Sequence, residues 1–116
     1  MQRSTFSGLV VLIASVAAGG VALGAQPAPS GEAVYQHWCA PCHAPGPGHP
    51  GTQSLQVKYG GKTPAVLLER SDLTPQAIAV FVRTGVLSMP PFRKTEVSDA
   101  DLAALTSYIA SASKKR

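Results

Sequence analysis

Two cysteines and a histidine stand close together in the sequence: the stretch CAPCH contains Cys39, Cys42 and His43. On a helix, residues three and four positions apart share a face, so all three side chains can approach one flat object. Haem fits this arrangement, because two thiols can add to its two vinyl groups as thioethers while an imidazole reaches the iron. The spacing C-x-x-C-H is the attachment signal of c-type haem. The stretch therefore predicts one covalently bound haem c, with His43 as an iron ligand.

The same two cysteines have other interpretations. Trp38 directly before a C-x-P-C motif is typical of thioredoxin-like thiol exchange, and two cysteines in an exported chain often form a disulfide. An exchange motif belongs at the end of a hydrophobic strand in a βαβ pattern. The eight residues before Cys39, GEAVYQHW, instead have the polar, amphipathic pattern of a helical turn. A small exported thiol-disulfide oxidoreductase that uses Cys39 and Cys42 is the alternative function.

An iron held by His43 on one side needs a ligand on the other. The candidates are His37, His49, Met1 and Met89. Both other histidines lie six residues from His43, which keeps them near its side of the haem, and Met1 belongs to a segment that would be removed. Met89 lies far downstream, before two prolines, and is the predicted second ligand. A thioether is a soft donor that favours ferrous iron and raises the reduction potential.

The N-terminus has the pattern of a secretory signal. Arg3 is the single charge before an apolar run from Phe6 to Leu23, and the small residues Ala22 and Gly24 fit a cleavage site. We therefore expect residues 1–24 to be removed and the remaining chain to be soluble in the periplasm. An uncleaved membrane anchor is the alternative, because about 20 apolar residues can cross a bilayer.

The rest of the chain has room for one small domain. Residues 25–29 read as a Pro/Ala linker, residues 30–112 as the domain and residues 113–116 as a basic tail. The net charge is +4, and the basic residues are scattered rather than arranged in a stripe. This distribution excludes a nucleic-acid interface. Contact with a membrane is expected only if the N-terminal segment stays attached.

Capping signals predict where helices begin. Ser30 is a predicted N-cap for a helix running towards the cysteines, and Thr63 followed by Pro64 predicts a short helix through Arg70. Between them, residues 44–61 are dense in Gly and Pro and predict an irregular loop.

The C-terminal half contains the same kinds of helix-capping signal. Thr74 followed by Pro75 predicts a helix that Gly85 ends as a left-handed C-cap. The stretch VLSMPPF predicts a loop, because consecutive prolines do not fit inside a helix. Ser98 and Asp101 form an acidic capping box for a last helix with an apolar face. No segment alternates like a strand for more than a few residues, so the predicted fold class is all-α.

With these features the chain resembles the class I c-type cytochromes, over residues 31–110. The resemblance depends on CAPCH at 39–43, on SMPPF at 88–92 and on the two flanking helices. It implies a small cytochrome c fold in which about four short helices surround one covalent haem. It also implies that the first helix, at Gly31, crosses the last helix against an aromatic residue, here Tyr108. The family's aromatic residue four positions before the first cysteine is matched by Tyr35.

The resemblance further implies a hydrogen bond from the second ring nitrogen of His43 to a proline carbonyl, which would fix the ring's orientation. Pro50 is the first candidate and Pro47 the second. Eight apolar side chains are expected to bury the porphyrin and supply core that a short chain lacks. They are Val57, Val66, Leu67, Phe81, Val82, Leu87, Leu102 and Leu105.

The implied function is one-electron transfer rather than catalysis. The expected partners are redox proteins: a dehydrogenase as donor, and a cytochrome or oxidase as acceptor. The chain would serve as a diffusible carrier or as the cytochrome subunit of a dehydrogenase. Lys58, Lys62 and Lys94 could steer an acidic partner, although ordinary solvated surface is the preferred interpretation of these lysines.

Overall fold

The computed structural model describes Pro27 and residues 29–115. The predicted signal segment and its cleavage site lie outside these residues. No helix within the described part is both long and apolar enough to cross a bilayer.

The first helix, α1 (31–43), has three consecutive segments. Gly31–Val34 is α-helical, Tyr35–Cys39 is π-helical and Ala40–His43 is α-helical. The predicted N-cap is confirmed, because the Ser30 hydroxyl accepts a hydrogen bond from the backbone N–H of Ala33.

A proline explains the wider turn inside α1. Pro41 has no N–H to donate and its ring would collide with the carbonyl four residues earlier, that of His37. In the π-helical turn the N–H of Ala40 bonds instead to the carbonyl of Tyr35, five residues back. Such single wide turns relieve a conflict without ending the helix. The change of pitch falls directly before the C-x-x-C-H motif.

The expected loop over residues 44–61 is wrong in its second half, where the structure has helix α2, Pro50–Tyr59. Pro50 starts it at a position that needs no N–H, and Gly60 ends it in the left-handed region with φ 54° and ψ 36°. The apolar residues of α2 do not line one face: Val57 is 86% exposed, whereas Leu55 is partly buried. Because α2 has no apolar stripe along one face, hydrophobic periodicity does not predict this helix.

The expected helix after Thr63 is also wrong. Only a single 3₁₀ turn forms, Leu67–Glu69. The backbone is extended on either side of it, at Val66 and at Arg70. The Arg70 guanidinium is buried, where it pairs with Asp72 and donates to the hydroxyl of Tyr59 at 3.1 Å. These side-chain bonds stabilise an extended path that the helix-start signal did not predict.

The last two helices confirm their N-capping signals. Helix α3, Pro75–Thr84, begins where the Thr74 hydroxyl accepts from the N–H of Ala77. It ends at Gly85, which has a positive φ of 69° but an extended ψ of 172°, so the left-handed cap is not formed there. Helix α4, Asp99–Lys114, begins with the complete capping box of Ser98 and Asp101.

One hydrophobic core joins these helices, and the all-α fold class is confirmed. The start of α1 and helix α3 pack against α4, while the end of α1 packs against α2. The described residues contain no strand, only an isolated bridge between Val86 and Met89. The buried apolar side chains are Val34, Tyr35, Ala40, Ile78, Val82, Val97, Leu102, Leu105 and Ile109.

The expected crossing of the first and last helices is present. A Cβ placed on Gly31 would lie 2.1 Å from the carbonyl oxygen of Ala104 and 2.7 Å from Cβ of Tyr108. No side chain fits in that space, so only glycine permits this approach. The rings of Tyr35 and Tyr108 close the crossing, with centroids 5.8 Å apart.

Replacing Gly31 with alanine should therefore force the two helices apart. Overpacking of this kind costs about 1 to 3 kcal/mol of unfolding free energy, more than alanine's higher helix propensity returns. Urea denaturation of the haem-loaded protein would measure the loss. The matched control is Ala33→Ser on the exposed side of the same turn, which should change stability by no more than about 0.5 kcal/mol. Equal stability of Gly31→Ala and wild type would contradict the tight crossing.

Candidate haem-binding site

The three residues of the predicted attachment motif lie at the end of α1. Cys39 is the last residue of the π-helical segment, and Cys42 and His43 are in the α-helical turn that follows. Both cysteines are free thiols, Cys42 exposed and Cys39 partly buried. Cys39 packs against the hydrophobic core.

Packing and backbone hydrogen bonds hold His43. The buried Tyr35 hydroxyl donates to the carbonyl of His43 at 3.2 Å. Gly51, in the first turn of α2, lies against the imidazole: a Cβ there would be 2.8 Å from Cε1 of His43 and from the carbonyl of Cys42. The ring is thus confined between α1 and α2.

A third contact fixes the chain just after His43. Thr52 is buried, and its hydroxyl donates to the carbonyl of Ala44 at 2.9 Å. Since Thr52 follows Gly51, one turn of α2 both contacts the imidazole and ties down the exit from α1.

The predicted hydrogen bond from His43 to a proline carbonyl is absent. Nδ1 of His43 is buried and has no hydrogen-bond partner in the described part of the chain. The prediction failed because Pro50, the first candidate, is the first residue of α2, where its carbonyl accepts from the Ser54 hydroxyl at 2.8 Å. Pro47, the second candidate, makes no bond to the ring either.

The donor set fits a haem. Burial lowers the pKa of His43 and so favours the neutral imidazole, which is the form that binds metals. Two free thiols within one turn of it are the groups that thioether attachment requires. Cys39, Cys42 and His43 would hold the haem on this side.

Met89, the predicted second iron ligand, lies in a tight turn. The backbones of Val86 and Met89 bond to each other in both directions, at 3.0 and 2.9 Å. Leu87 at the tip of the turn has a φ of 52° and is 96% exposed. Gly85 at its base faces the carbonyl of Met89, which a Cβ would approach to 2.6 Å.

The turn that contains Met89 packs against the same hydrophobic core as Cys39 of the predicted attachment motif. Met89 is partly buried and, like Cys39, packs against the core cluster. Trp38 and Phe92 meet edge to face with centroids 5.7 Å apart, which joins α1 to the segment after Met89. Trp38 thus has a packing role in this structure.

The other two histidines stay close to α1. Nδ1 of His49 lies 3.0 Å from the carbonyl of Pro41, within hydrogen-bond distance. His37 is exposed and its ring lies edge-on to Trp38, 4.6 Å between centroids. These contacts agree with the reasoning that favours Met89 as the second ligand.

The thiol environment argues against the exchange interpretation. Burial, followed by the influence of Cys42, raises the pKa of the Cys39 thiol to about 11. Reactive exchange cysteines instead have lowered pKa values, since the thiolate is the nucleophile. Burial of Cys39 thus favours its protonated thiol over the thiolate that exchange needs.

The apolar side chains expected to cover the porphyrin fall into three groups. Val82, Leu102 and Leu105 are buried in the protein's own core, so they are packed against other helices. Val66 and Leu67 are partly buried. The remaining three, Val57, Phe81 and Leu87, are exposed by 86%, 41% and 96%.

Three positioning residues were missed by sequence reasoning: Gly51, Thr52 and Arg83. A glycine directly after the N1 proline was a usable signal for Gly51, because glycine inside a helix is unfavourable unless something lies close. The Thr52 hydroxyl bonds to the carbonyl of Ala44, eight residues back, and the Arg83 guanidinium bonds to the carbonyls of Phe92 and Val97, nine and fourteen residues ahead. Nothing local marks such bonds.

Comparison with known proteins gives a family. The family model described as "Cytochrome C oxidase, cbb3-type, subunit III" matches residues 26–109. No curated protein and no solved structure gives a significant match.

The contact between Gly51 and His43 leads to a prediction with a definite sign. Alanine in place of glycine would normally stabilise a helix by about 0.5 to 1 kcal/mol. Here the added methyl would strike the imidazole and a carbonyl, so we expect Gly51→Ala to lower stability and to displace the His43 ring. NMR of the ring protons would detect the displacement, with Ser54→Ala on the exposed side of α2 as the control. A Gly51→Ala protein that is more stable and has unshifted ring signals would refute the contact.

Proposed function

Because the chain belongs to the cytochrome c family that includes cbb3-type cytochrome c oxidase subunit III, and is a class I c-type cytochrome, we propose that it is a periplasmic one-electron carrier with His43 and Met89 as axial ligands. The family establishes an electron carrier with covalent c-type haem. The axial ligands, the single haem and the compartment are the parts proposed here.

The observation that carries the ligand assignment is the convergence of two segments on one core. The end of α1 supplies a confined neutral imidazole, and the turn before Pro90 supplies a partly buried thioether. When bound, the haem supplies a one-electron couple between Fe(II) and Fe(III). Two protein ligands would occupy both axial positions, which favours electron transfer at the haem edge over ligand chemistry at the iron.

Electron exchange should occur near Cys42. Its side chain is exposed, so a group attached there would have an edge within reach of a docked protein. We propose a dehydrogenase as electron donor and a cytochrome or oxidase as acceptor, with the chain either diffusible or a dehydrogenase subunit. Co-purification of a larger redox protein would separate the second case from the first.

The contacts of the three lysines give little support for a role in steering an acidic partner. Lys94 pairs with Asp99 at 2.7 Å, and the ammonium of Lys58 lies 5.4 Å from the Tyr59 ring centroid. Lys62 is exposed. This pattern favours ordinary solvated surface, as expected from the sequence.

Met89→Ala tests the proposed ligand. Loss of the soft thioether should lower the reduction potential, open the distal side to cyanide or carbon monoxide, and abolish the methionine-to-ferric charge-transfer band. Absorption spectra and a redox titration measure all three. Met89→His is the matched control, because it should lower the potential while still supplying an axial ligand. Persistence of the band in Met89→Ala would mean that another residue binds the iron.

The covalent linkage is tested on protein purified after export. We expect a pyridine haemochrome spectrum with one haem per chain, haem staining on a denaturing gel and no titratable thiol. An intact mass would also show whether residues 1–24 have been removed. Two titratable thiols without stained haem would support the thiol-disulfide oxidoreductase instead.

A further inference from the structure

The Arg83 side chain joins three separate parts of the structure. From the end of α3, its Nη1 donates to the carbonyls of Phe92 at 3.1 Å and Val97 at 2.8 Å. Its Nη2 donates to the carboxylate of Asp99 at 2.9 Å. The side chain is only 23% exposed. One guanidinium therefore connects α3, the chain beyond Met89 and the start of α4.

Of the three acceptors of Arg83, the carbonyl of Phe92 is the one closest in sequence to Met89, three residues after it. The N–H of Phe92 donates to the carbonyl of Val82 at 2.8 Å, while its own carbonyl accepts from Arg83. Two consecutive residues of α3 thus hold both backbone polar groups of Phe92. The Phe92 ring packs against Trp38 of α1.

The segment between this point and Met89 is short and stiff. Pro90 and Pro91 have fixed φ angles and no N–H groups, so they transmit a shift at one end to the other. On the other side, Met89 is bonded to Val86 and pressed against Gly85. The position of Met89 is therefore set at both ends, and Arg83 sets the end after the ligand.

We propose that Arg83 is a positioning residue that keeps Met89 in place against the iron. The proposal rests on the ligation by His43 and Met89 argued above. Bonds from a charged donor are stronger than neutral ones, and the guanidinium fork can serve several acceptors at fixed angles. A lysine could satisfy one or two of these acceptors but not the same three in one plane. The specific consequence is control over how often the iron–methionine contact opens.

Imidazole binding to the ferric, haem-loaded protein measures this opening. Exogenous imidazole can bind only when Met89 has left, so its apparent affinity is proportional to the fraction of open protein. We expect Arg83→Gln to bind imidazole about tenfold more tightly, equivalent to about 1.4 kcal/mol. The charge-transfer band should disappear at correspondingly lower imidazole concentration. An unchanged affinity in a folded Arg83→Gln protein would overturn the proposal.

A matched control separates positioning from general stability. Ser98→Ala removes the cap of α4 at the same junction and so destabilises the fold, yet it leaves every bond to Phe92 in place. Its imidazole affinity should change by less than about twofold, because Phe92 keeps its bonds to Val82 and Arg83. If Ser98→Ala raised the affinity as much as Arg83→Gln, the effect would be global loosening and the proposal would be wrong.

A double variant distinguishes this inference from the function it rests on. In Met89→Ala the distal side is permanently open, so adding Arg83→Gln should change imidazole affinity by less than about twofold. If Met89→Ala itself binds imidazole no better than wild type, the ligand assignment fails. If Met89→Ala binds more tightly but Arg83→Gln does not, only the role of Arg83 fails.

Arg83→Lys keeps the inference testable if Arg83→Gln does not fold. It retains the positive charge beside Asp99 but not the fork, so we expect an affinity between those of wild type and the glutamine variant. Asp99→Asn removes the ion pairs of Asp99 with Arg83 and Lys94 but keeps both bonds from Arg83 to backbone carbonyls, so it should leave the affinity nearly unchanged. An Arg83→Lys protein identical to wild type would show that charge, not the bridging geometry, is sufficient, and would overturn the proposal.

Discussion

The close crossing of α1 and α4 at Gly31 is the contact on which the candidate haem site depends. Helix α1 carries the entire attachment motif at its far end, so its angle against α4 decides where Cys39 and His43 point. The helices approach until the Gly31 backbone reaches the carbonyl of Ala104. Tyr35, one turn further along, is then buried against Tyr108 and directs its hydroxyl to the carbonyl of His43. The crossing and the proposed ligand His43 are thus linked through the Tyr35 side chain.

The site is held mainly by side chains that bond to backbone carbonyls. The Tyr35 hydroxyl holds His43, the Thr52 hydroxyl holds Ala44 and the Arg83 guanidinium holds Phe92. Bonds of this kind fix the path of the chain while leaving the side chains of the held residues free. The imidazole of His43 is accordingly positioned by packing and by its backbone, and its buried Nδ1 has no hydrogen-bond partner in the described part of the chain. The turn at Met89 is held by backbone bonds as well: Val86 and Met89 bond to each other in both directions, and the N–H of Phe92 donates to the carbonyl of Val82.

Local sequence signals predicted the helices whose first turn is capped by a residue next to it in the sequence. Ser30, Thr74 and Ser98 each cap a helix through an N–H three residues ahead, and a sequence displays such pairs directly. The same signal misled at Thr63, because the extended path there is stabilised by Arg70 reaching Tyr59, eleven residues away. Helix α2 was missed since its apolar residues form no stripe. The C-x-x-C-H motif is visible in the sequence because it is defined by spacing alone, whereas the bonds of Thr52 and Arg83 exist only after the chain has folded.

The physical difference between haem attachment and thiol exchange also lies in the folded environment, since both use the spacing C-x-x-C. An exchange site needs a stabilised thiolate, which requires positive charge or helix N-terminal dipoles near an accessible sulfur. Here Cys39 ends a π-helical turn inside a continuous helix and is packed against the core, which raises its pKa to about 11. Pro41 causes that wide turn, because in a regular α-helix its ring would collide with the carbonyl four residues earlier. Pro41, which gives the motif its C-x-P-C form, therefore helps place Cys39 where exchange is disfavoured.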